Sequence, residues 1–358
     1  MSEQQPYGVA ILGLGHWYSA YGVARALPEY PHADLVVVAS PHDAHRTTFC
    51  ETFGVEGVAS YDDAIARPDV DIVHIATPVC DIAALTIAAA RAGKHIVMGK
   101  PMAMTMAQAD AMVEAVEAAG VVCVPFQGLM RLRNRMLKAR IDAGEIGRVA
   151  VMHQTGRWSI AEDWYHSGTP GWFVDPAQVP GGAFIDEGIY WIDALRWLAD
   201  SEVVQVEAKM RNIVHTELAV EDWGHAVLTF ANGVIATVEA AWTINAPRRT
   251  GPSPKHNSVV RLEVVGTEGE VMEQWFRSPG TAVLASGASD WVFERSGDEP
   301  FGPPSPGPLG HLVDCVRSGR PPMATIRDAR ESFRIALAAY ESARGGCPVR
   351  LPFQRPDA

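Results

Sequence analysis

Short runs of β-branched residues, separated at regular intervals by helix-forming stretches, fill residues 7–126 and constrain the fold of this 358-residue chain most tightly. The runs are GVAIL (8–12), LVVVAS (35–40), VDIVHIAT (70–77), HIVMG (95–99) and VVCVPF (121–126). Continuously apolar strands are buried on both faces, so the pattern predicts an α/β domain with a parallel, doubly wound sheet covered by helices. One intervening helix is sharply marked. Thr105 and Gln108 form a capping box, Met106, Ala109, Met112, Val113 and Val116 give an apolar stripe, and Gly120 closes it.

After about residue 126 the rhythm changes. Strand-like segments at 148–155, 203–214, 224–231, 234–243, 258–265 and 270–276 follow one another with few helices between them. They predict an α+β domain with a large, mostly antiparallel open sheet. Asn232-Gly233 reads as a two-residue hairpin turn. Between 297 and 308, eight of twelve residues are Gly or Pro, which marks an irregular excursion. Thr325 with Asp328 then opens a final helix to about Arg344. The expected domains are 1–126 and 127–358, with the C-terminal helix free to pack back on the first.

Composition excludes several classes. A chain of this length buries about 75% of its unfolded surface, so neither disulfides nor metal are needed to hold it together. With 42 acidic against 30 basic residues the net charge is −12, the wrong sign for nucleic acid or an anionic membrane. The five cysteines (50, 80, 123, 315, 347) are odd in number and widely spaced, which argues against structural zinc and a disulfide framework and for a reducing compartment. The start, MSEQQPYGVAILGLG, lacks a basic region and a small-residue cleavage site. No apolar stretch approaches the roughly 18 to 20 residues of a membrane span. The expectation is a soluble cytoplasmic protein without a metal.

The first strand leads into Gly13-Leu14-Gly15-His16-Trp17-Tyr18 and a helix. Gly13 permits a tight turn and Gly15 lets backbone N–H groups approach a pyrophosphate at the helix N-terminus. Tyr18 stands where the third glycine of a dinucleotide fingerprint would be, so the competing reading is an ordinary strand-to-helix turn. Placement after the first strand of a βαβ unit favours the dinucleotide. The second strand ends in Ser40, with Pro41, His42, Asp43, His45 and Arg46 following. An NAD site carries an acid there; a hydroxyl with cationic neighbours suits the 2′-phosphate of NADP. NADP is therefore the preferred coenzyme, with NAD the alternative if Asp43 does the work of the acid. His42 and His45 lack a third metal ligand nearby. The strand at 95–99 ends in Gly99-Lys100-Pro101, and lysine is scarce here, 5 against 25 arginines. At the carboxyl end of a parallel strand Lys100 would face ligand, its direction biased by Pro101; the plain alternative is a surface lysine.

With these residues the chain resembles the Gfo/Idh/MocA oxidoreductases, the family of glucose–fructose oxidoreductase and inositol dehydrogenase. The resemblance runs from residue 7 to about 350. It rests on GLGHWY, Ala76-Thr77-Pro78, AGKHIVMGKP (92–101), GEIGRV (144–149), DPAQVPGGAFIDEGIYWID (175–193) and VVGTEGE (264–270). It implies a Rossmann domain, a C-terminal α+β domain, and a homodimer or homotetramer built on the open sheet face. It also implies coenzyme contacts from Gly13, Gly15, His16, Trp17, Ser40, His45, Arg46, Thr77, Pro78, Lys100 and Gln127. The family's Glu-Lys-Pro reads Gly99-Lys100-Pro101 here. The Asn and His expected after Thr77-Pro78 are Val79 and Ile82, and the frequent catalytic histidine is Tyr190. Glucose–fructose oxidoreductase is similar in carrying Gly-Ile-Tyr at that place.

On a helix Asp186, Tyr190 and Asp193 share a face. Oxidising an alcohol removes its O–H proton as hydride leaves carbon, so a base must reach the oxygen. Tyrosine, with an ordinary pKa of about 10, needs a nearby cation. Lys100 supplies one if the two domains face each other as the family's architecture implies. The expected catalytic set is Tyr190 as acid/base, Lys100 as electrostatic partner and Asp186 as orienter of substrate hydroxyls. The competing reading makes Tyr190 and Trp191 packing anchors beside Leu195 and Leu198. Trp158, Trp164, Tyr165, His166 and Trp172 suit a polyhydroxylated ring, or else a packed interface; Arg157 suits a carboxylate or a surface acid. Trp158 and Trp172, with Lys100, Asp186 and Tyr190, are the expected substrate contacts. The basic loop 246–257 suits a lid or a subunit contact. The expected function is an NAD(P)-dependent sugar, sugar-acid or polyol dehydrogenase or reductase. An NAD-dependent glycosidase and a non-catalytic dinucleotide-sensing regulator are the alternatives.

Overall fold

The computed structural model describes residues 5–160, 170–244, 259–275, 280–295 and 307–352. The first stretch alternates strand and helix: β1 (Tyr7–Leu12), α1 (Trp17–Ala26), β2 (Ala33–Ala39), α2 (Asp43–Phe53), β3 (Glu56–Val58), α3 (Tyr61–Ile65) and β4 (Ile72–Ile75). It continues with α4 (Val79–Arg91), β5 (His95–Met98), α5 (Met106–Ala119), β6 (Cys123–Pro125) and α6 (Leu129–Arg133). The next elements are α7 (Arg135–Asp142), β7 (Val149–Arg157), α8 (Ala183–Ala199), β8 (Val203–Arg211), β9 (Trp223–Phe230) and β10 (Ile235–Ala241). Then come β11 (Val259–Gly266), β12 (Glu270–Trp275), β13 (Gly280–Leu284), β14 (Val292–Arg295), α9 (Pro308–Ser318), α10 (Ile326–Gly345) and β15 (Val349–Arg350).

The chain divides into two units, one from 1–132, 162–180 and 303–330, the other from 133–161, 181–302 and 331–358. In the first, six strands form a sheet ordered β3-β2-β1-β4-β5-β6, every pair parallel. Val9 to Leu12 and Ile72 and Val73 are fully buried, as strands covered on both faces must be. The edge strand β3 has no apolar run, being Glu-Gly-Val, which is why periodicity misses it. The Thr105 hydroxyl caps α5 by accepting from the Gln108 N–H at 3.2 Å. The Gln108 side chain accepts instead from Met104 N–H, one residue earlier than a reciprocal box requires.

In the second unit nine strands run β14-β13-β12-β11-β7-β10-β9-β8-β15. Among the described residues only β7 and β10 pair in parallel. Burial alternates along β9: Gly224, Ala226, Leu228 and Phe230 are buried while Trp223, His225, Val227 and Thr229 are partly exposed. The buried face carries α8, whose Gly188 sits against Ala240 of β10. The β9–β10 connection has three residues, because Ile235 pairs with Thr229 and Phe230 N–H donates to Val234 carbonyl. Gly233 takes φ +87°, the left-handed residue that a three-residue hairpin requires, so the expected two-residue turn is one residue longer. At the start of α10, Thr325 N–H donates to Asp328 at 2.8 Å and Asp328 N–H donates to the Thr325 hydroxyl at 3.3 Å, a complete box.

Trp164, Tyr165, His166, the basic loop 246–257 and residues 297–306 lie outside the described residues. Among the described residues no helix is long and apolar enough to cross a membrane, and no cluster of three or more His, Cys, Asp or Glu could hold a metal ion.

Candidate functional site

The carboxyl ends of the parallel strands gather the residues singled out in the first domain. The sheet order reverses between β1 and β4, the switch point where ligands bind in folds of this type. Gly13 follows β1 with φ +83°, and a Cβ there would lie 2.4 Å from Thr77 Cγ2. A Cβ on Gly15 would lie 3.0 Å from Pro78 Cδ and 3.2 Å from Trp172 Nε1. The two glycines thus make a bare cradle, and α1 begins directly beyond it with no side-chain cap on His16. Gln127, after β6, is fully buried with both ends of its amide unpartnered, and Thr77 Oγ1 and His16 Nε2 are buried and unpartnered too. A dinucleotide fits this set: a helix N-terminus, a surface no side chain fills, and polar atoms waiting for a ligand.

At the end of β2, Ser40 is buried and its hydroxyl accepts from His42 N–H at 3.3 Å. Arg46 donates to the Ser40 carbonyl and pairs with Asp43. The His42 and His45 rings are 5.3 Å apart. Trp17 opens α1, buried, with its ring set edge-on to Tyr18.

Lys100 follows β5 and is 1% exposed, its Nζ 5.8 Å from the centre of the Tyr18 ring; the Lys100–Pro101 peptide is cis. A cation over an aromatic face in a desolvated place is favourably held. Tyr18, the residue that displaces the third glycine, is therefore part of the lysine's surroundings. Burial, and then the charge of Lys100, hold His16 well below the usual histidine range, so its ring is neutral at physiological pH. Two departures from the family pattern meet here. A Cβ on Gly99 would lie 2.9 Å from Ile82 Cδ1 and 3.0 Å from the Ile75 carbonyl, so the missing Glu and the missing His are neighbours. Both were replaced without charge or hydrogen-bonding capacity.

In the second unit Asp186, Tyr190 and Asp193 all lie on α8 and are buried. The helix start is fixed from outside. Glu221 accepts from Gly182 N–H and Phe184 N–H, both at 2.9 Å, and from the Tyr340 hydroxyl at 2.7 Å. Tyr340 accepts in turn from Ile185 N–H at 3.3 Å. Burial pushes the Glu221 carboxyl up, against the pull of these hydrogen bonds, and pushes the Tyr340 phenol well up. Gly181 and Gly182 admit the clamp, since a Cβ on them would lie 2.2 Å from the Tyr340 hydroxyl and 1.9 Å from the Glu221 carbonyl. Asp193 accepts from Ser332 and lies 3.9 Å from Arg196, a place in the core. Trp191 is a packing anchor; with the Gln154 amide turned to satisfy its neighbours, the amide oxygen accepts from Trp191 Nε1 at 2.9 Å.

Sequence reasoning passed over Arg133, which lies in the same unit as Tyr190 and is coupled to it electrostatically. Burial brings Arg133 down to about 10 while the neighbouring Tyr190 pulls it up. The only trace in the sequence is the basic run RLRNR at 131–135. Glu221 and Tyr340 were missed as well, the former hidden in a loop and the latter on a helix far along the chain. Trp158, just past the end of β7, packs its ring over Gly156 of that strand. Trp172, expected at the substrate, stacks on His16 at 4.8 Å and donates its indole N–H to the Gly15 carbonyl at 3.2 Å. Lys100 therefore lies in the first unit with the glycine loop, and Asp186 and Tyr190 lie in the second with Arg133.

Residues 7–126 match the profile described as an oxidoreductase family with an NAD-binding Rossmann fold, and residues 134–272 match that of the GFO/IDH/MocA C-terminal domain. Scyllo-inositol 2-dehydrogenase (NAD(+)) of Bacillus subtilis is 28% identical over 97% of this chain and 96% of its own. Myo-inositol 2-dehydrogenase of Thermotoga maritima is 26% identical over 96% of this chain and 98% of its own. Among solved structures, aldose-aldose oxidoreductase of Caulobacter crescentus, complexed with glycerol, superposes with a TM-score of 0.79 at 27% identity, covering 97% of this chain and all of that one. Levoglucosan dehydrogenase with NADH and L-sorbose reaches 0.83 at 24% identity over 98% of this chain and 100% of its own, a likeness of fold. The profiles between them cover most of residues 7–272, with parts in both units, and the glycine cradle with its unpartnered polar atoms is what an NAD-binding unit requires: the chain is an oxidoreductase of the GFO/IDH/MocA family.

Proposed function

We propose that this oxidoreductase exchanges a hydride between NAD(P) and a hydroxyl-bearing carbon of a sugar, sugar acid or polyol. The observation that carries the reading is Lys100, an ammonium 1% exposed, placed after β5 in the same unit as the glycine loop. The bound nicotinamide supplies the hydride acceptor or donor, and the residues of this chain handle the proton and the geometry. Tyr190 takes the hydroxyl proton in oxidation and returns it in reduction. Lys100 stabilises the developing alkoxide, and Asp186 accepts hydrogen bonds from neighbouring hydroxyls. Arg133 is coupled electrostatically to Tyr190 within the same unit. Trp158 supplies an aromatic face for the ring. The relatives support the substrate class, since the two inositol dehydrogenases act by name on polyhydroxylated rings.

NADP is the preferred coenzyme in this reading, because Ser40 replaces the usual acid and the Arg46 guanidinium reaches from α2 to the Ser40 carbonyl. Its pairing with Asp43 places a carboxylate there too, which a free 2′-hydroxyl can use. NADP must therefore draw Arg46 away from Asp43, and Asp43→Asn should raise the NADP-to-NAD ratio of kcat/KM.

The test is a panel of inositols, aldoses and sugar acids with each coenzyme, followed by nicotinamide absorbance. At least one should turn over, and Tyr190→Phe should lower its kcat about 100-fold or more. No turnover across the panel, or normal kcat in Tyr190→Phe, refutes the reading.

A further inference from the structure

We propose that Trp172 is a positioning residue of the coenzyme site, which locks the glycine loop and orients His16 toward the dinucleotide. This deepens the reading that the first unit binds NAD(P), and it moves Trp172 from the substrate to the coenzyme.

The peptide between Gly15 and His16 is held at both of its polar groups. Its carbonyl accepts from Trp172 Nε1 at 3.2 Å, and its N–H donates to the Ala76 carbonyl at 2.8 Å. A glycine-rich loop has little conformational preference of its own. With that peptide plane fixed from two sides, the first turn of α1 keeps one orientation, and it is the turn that receives a pyrophosphate. The indole comes so close that a side chain at 15 would meet it at 3.2 Å.

The second observation concerns His16. Its ring is stacked on Trp172 at 4.8 Å and on Phe173 at 5.6 Å, while Tyr18 lies at 5.3 Å. The residue is 1% exposed, yet Nε2 has no hydrogen-bond partner. A buried ring nitrogen left open in this way marks a place for a ligand atom. On this loop the chemistry available to it is a phosphate or ribose oxygen of the dinucleotide.

Trp172 is itself well anchored. It lies in a tight turn over Gly171–Val174, Asp175 accepts from Ala177 N–H and the Gln178 amide, and Cys80 N–H donates to the Gln178 carbonyl. The last bond ties the segment to the start of α4, which directly follows Pro78. The segment thus grips both loops of the cradle.

The experiment measures equilibrium binding of NADH and of ADP-ribose, which keeps the pyrophosphate and lacks the nicotinamide, by calorimetry. Trp172→Phe keeps the stack and removes the N–H donor; Trp172→Ala removes both. The Phe variant should weaken both ligands about 2- to 10-fold, the loss of one neutral hydrogen bond. The Ala variant should weaken both more strongly, about 10- to 100-fold, and be non-additive with His16→Ala. In steady state the Phe variant should raise KM for coenzyme and leave kcat at saturation and KM for substrate unchanged, which loss of general packing would not do. Binding of both ligands within 2-fold of wild type in both variants overturns the proposal, as does weakening confined to NADH. A wild-type protein that binds neither ligand, nor NADPH, overturns the dinucleotide reading and this proposal with it.

Discussion

Replacing Glu221 tests how the helix bearing Asp186 and Tyr190 is held. Its carboxylate, 8% exposed, is the common acceptor for Gly182 N–H, Phe184 N–H and the Tyr340 hydroxyl. The two N–H groups belong to the start of α8, where a helix has no internal partner for them. Glu221→Ala strands all three donors at once. A buried donor left unsatisfied costs about 1–3 kcal/mol, so with partial relief from water entering the vacated space the loss should be about 3–6 kcal/mol. Tyr340→Phe removes one donor to Glu221 and the acceptor of Ile185 N–H while leaving the carboxylate on its two backbone donors. It should cost about 1–2 kcal/mol. Urea unfolding read by circular dichroism and by tryptophan fluorescence measures both, and single-turnover kinetics shows whether hydride transfer slows in the same order. Glu221→Ala within about 1 kcal/mol of wild type would refute the reasoning, since three unsatisfied buried groups cannot be that cheap.

Glu273, on β12, is pushed up to about 7 by burial, with Arg140 pulling it down. The folded state then holds a proton that the unfolded chain releases near its ordinary value, so this group's contribution is full below about pH 4 and is lost as pH rises through 7. Glu273→Gln should therefore gain roughly 2 kcal/mol on wild type at pH 8 and nothing at pH 4, read by denaturant melts; a gain that grows toward acid would contradict the assignment. Gly13→Ala forces a side chain onto a residue at φ +83° and against Thr77. The backbone strain alone is about 1–2 kcal/mol, and coenzyme affinity by calorimetry should drop at least about 10-fold. Lys100→Met should lower kcat at saturating coenzyme on the order of 100-fold or more; retention of kcat would remove the lysine from the chemistry.

Legibility followed the range of the forces involved. The six-stranded parallel sheet, apart from β3, was readable because burial on both faces writes itself as contiguous β-branched runs. The succession of strand-like segments after residue 126 likewise gave the second sheet, although the Asn232-Gly233 turn was one residue longer than its dipeptide suggests. Gly13, Gly15 and Lys100 could be singled out because each follows a strand, and strand ends in such a sheet converge on one edge. Arg133, Glu221 and Tyr340 were not found. Their partners are fixed by packing between distant segments, and an arginine in a basic run or a glutamate in a loop has no local mark of burial. Trp172 was noticed as an aromatic residue, but its bond to the Gly15 carbonyl was not legible, because nothing near it in the chain shows that residues 170–180 fold with the first unit.

The amino-acid order alone determined the class of fold, the position of the dinucleotide loop and the lysine that follows the strand at 95–98. These are matters of periodicity and of residues a few positions apart. Tertiary structure alone decided which buried charges acquire partners, which polar atoms stay open for a ligand, and which aromatic ring leans on the glycine loop. Those outcomes depend on desolvation and contact between segments over a hundred residues apart, as where Trp172 meets Gly15, and no local pattern encodes them.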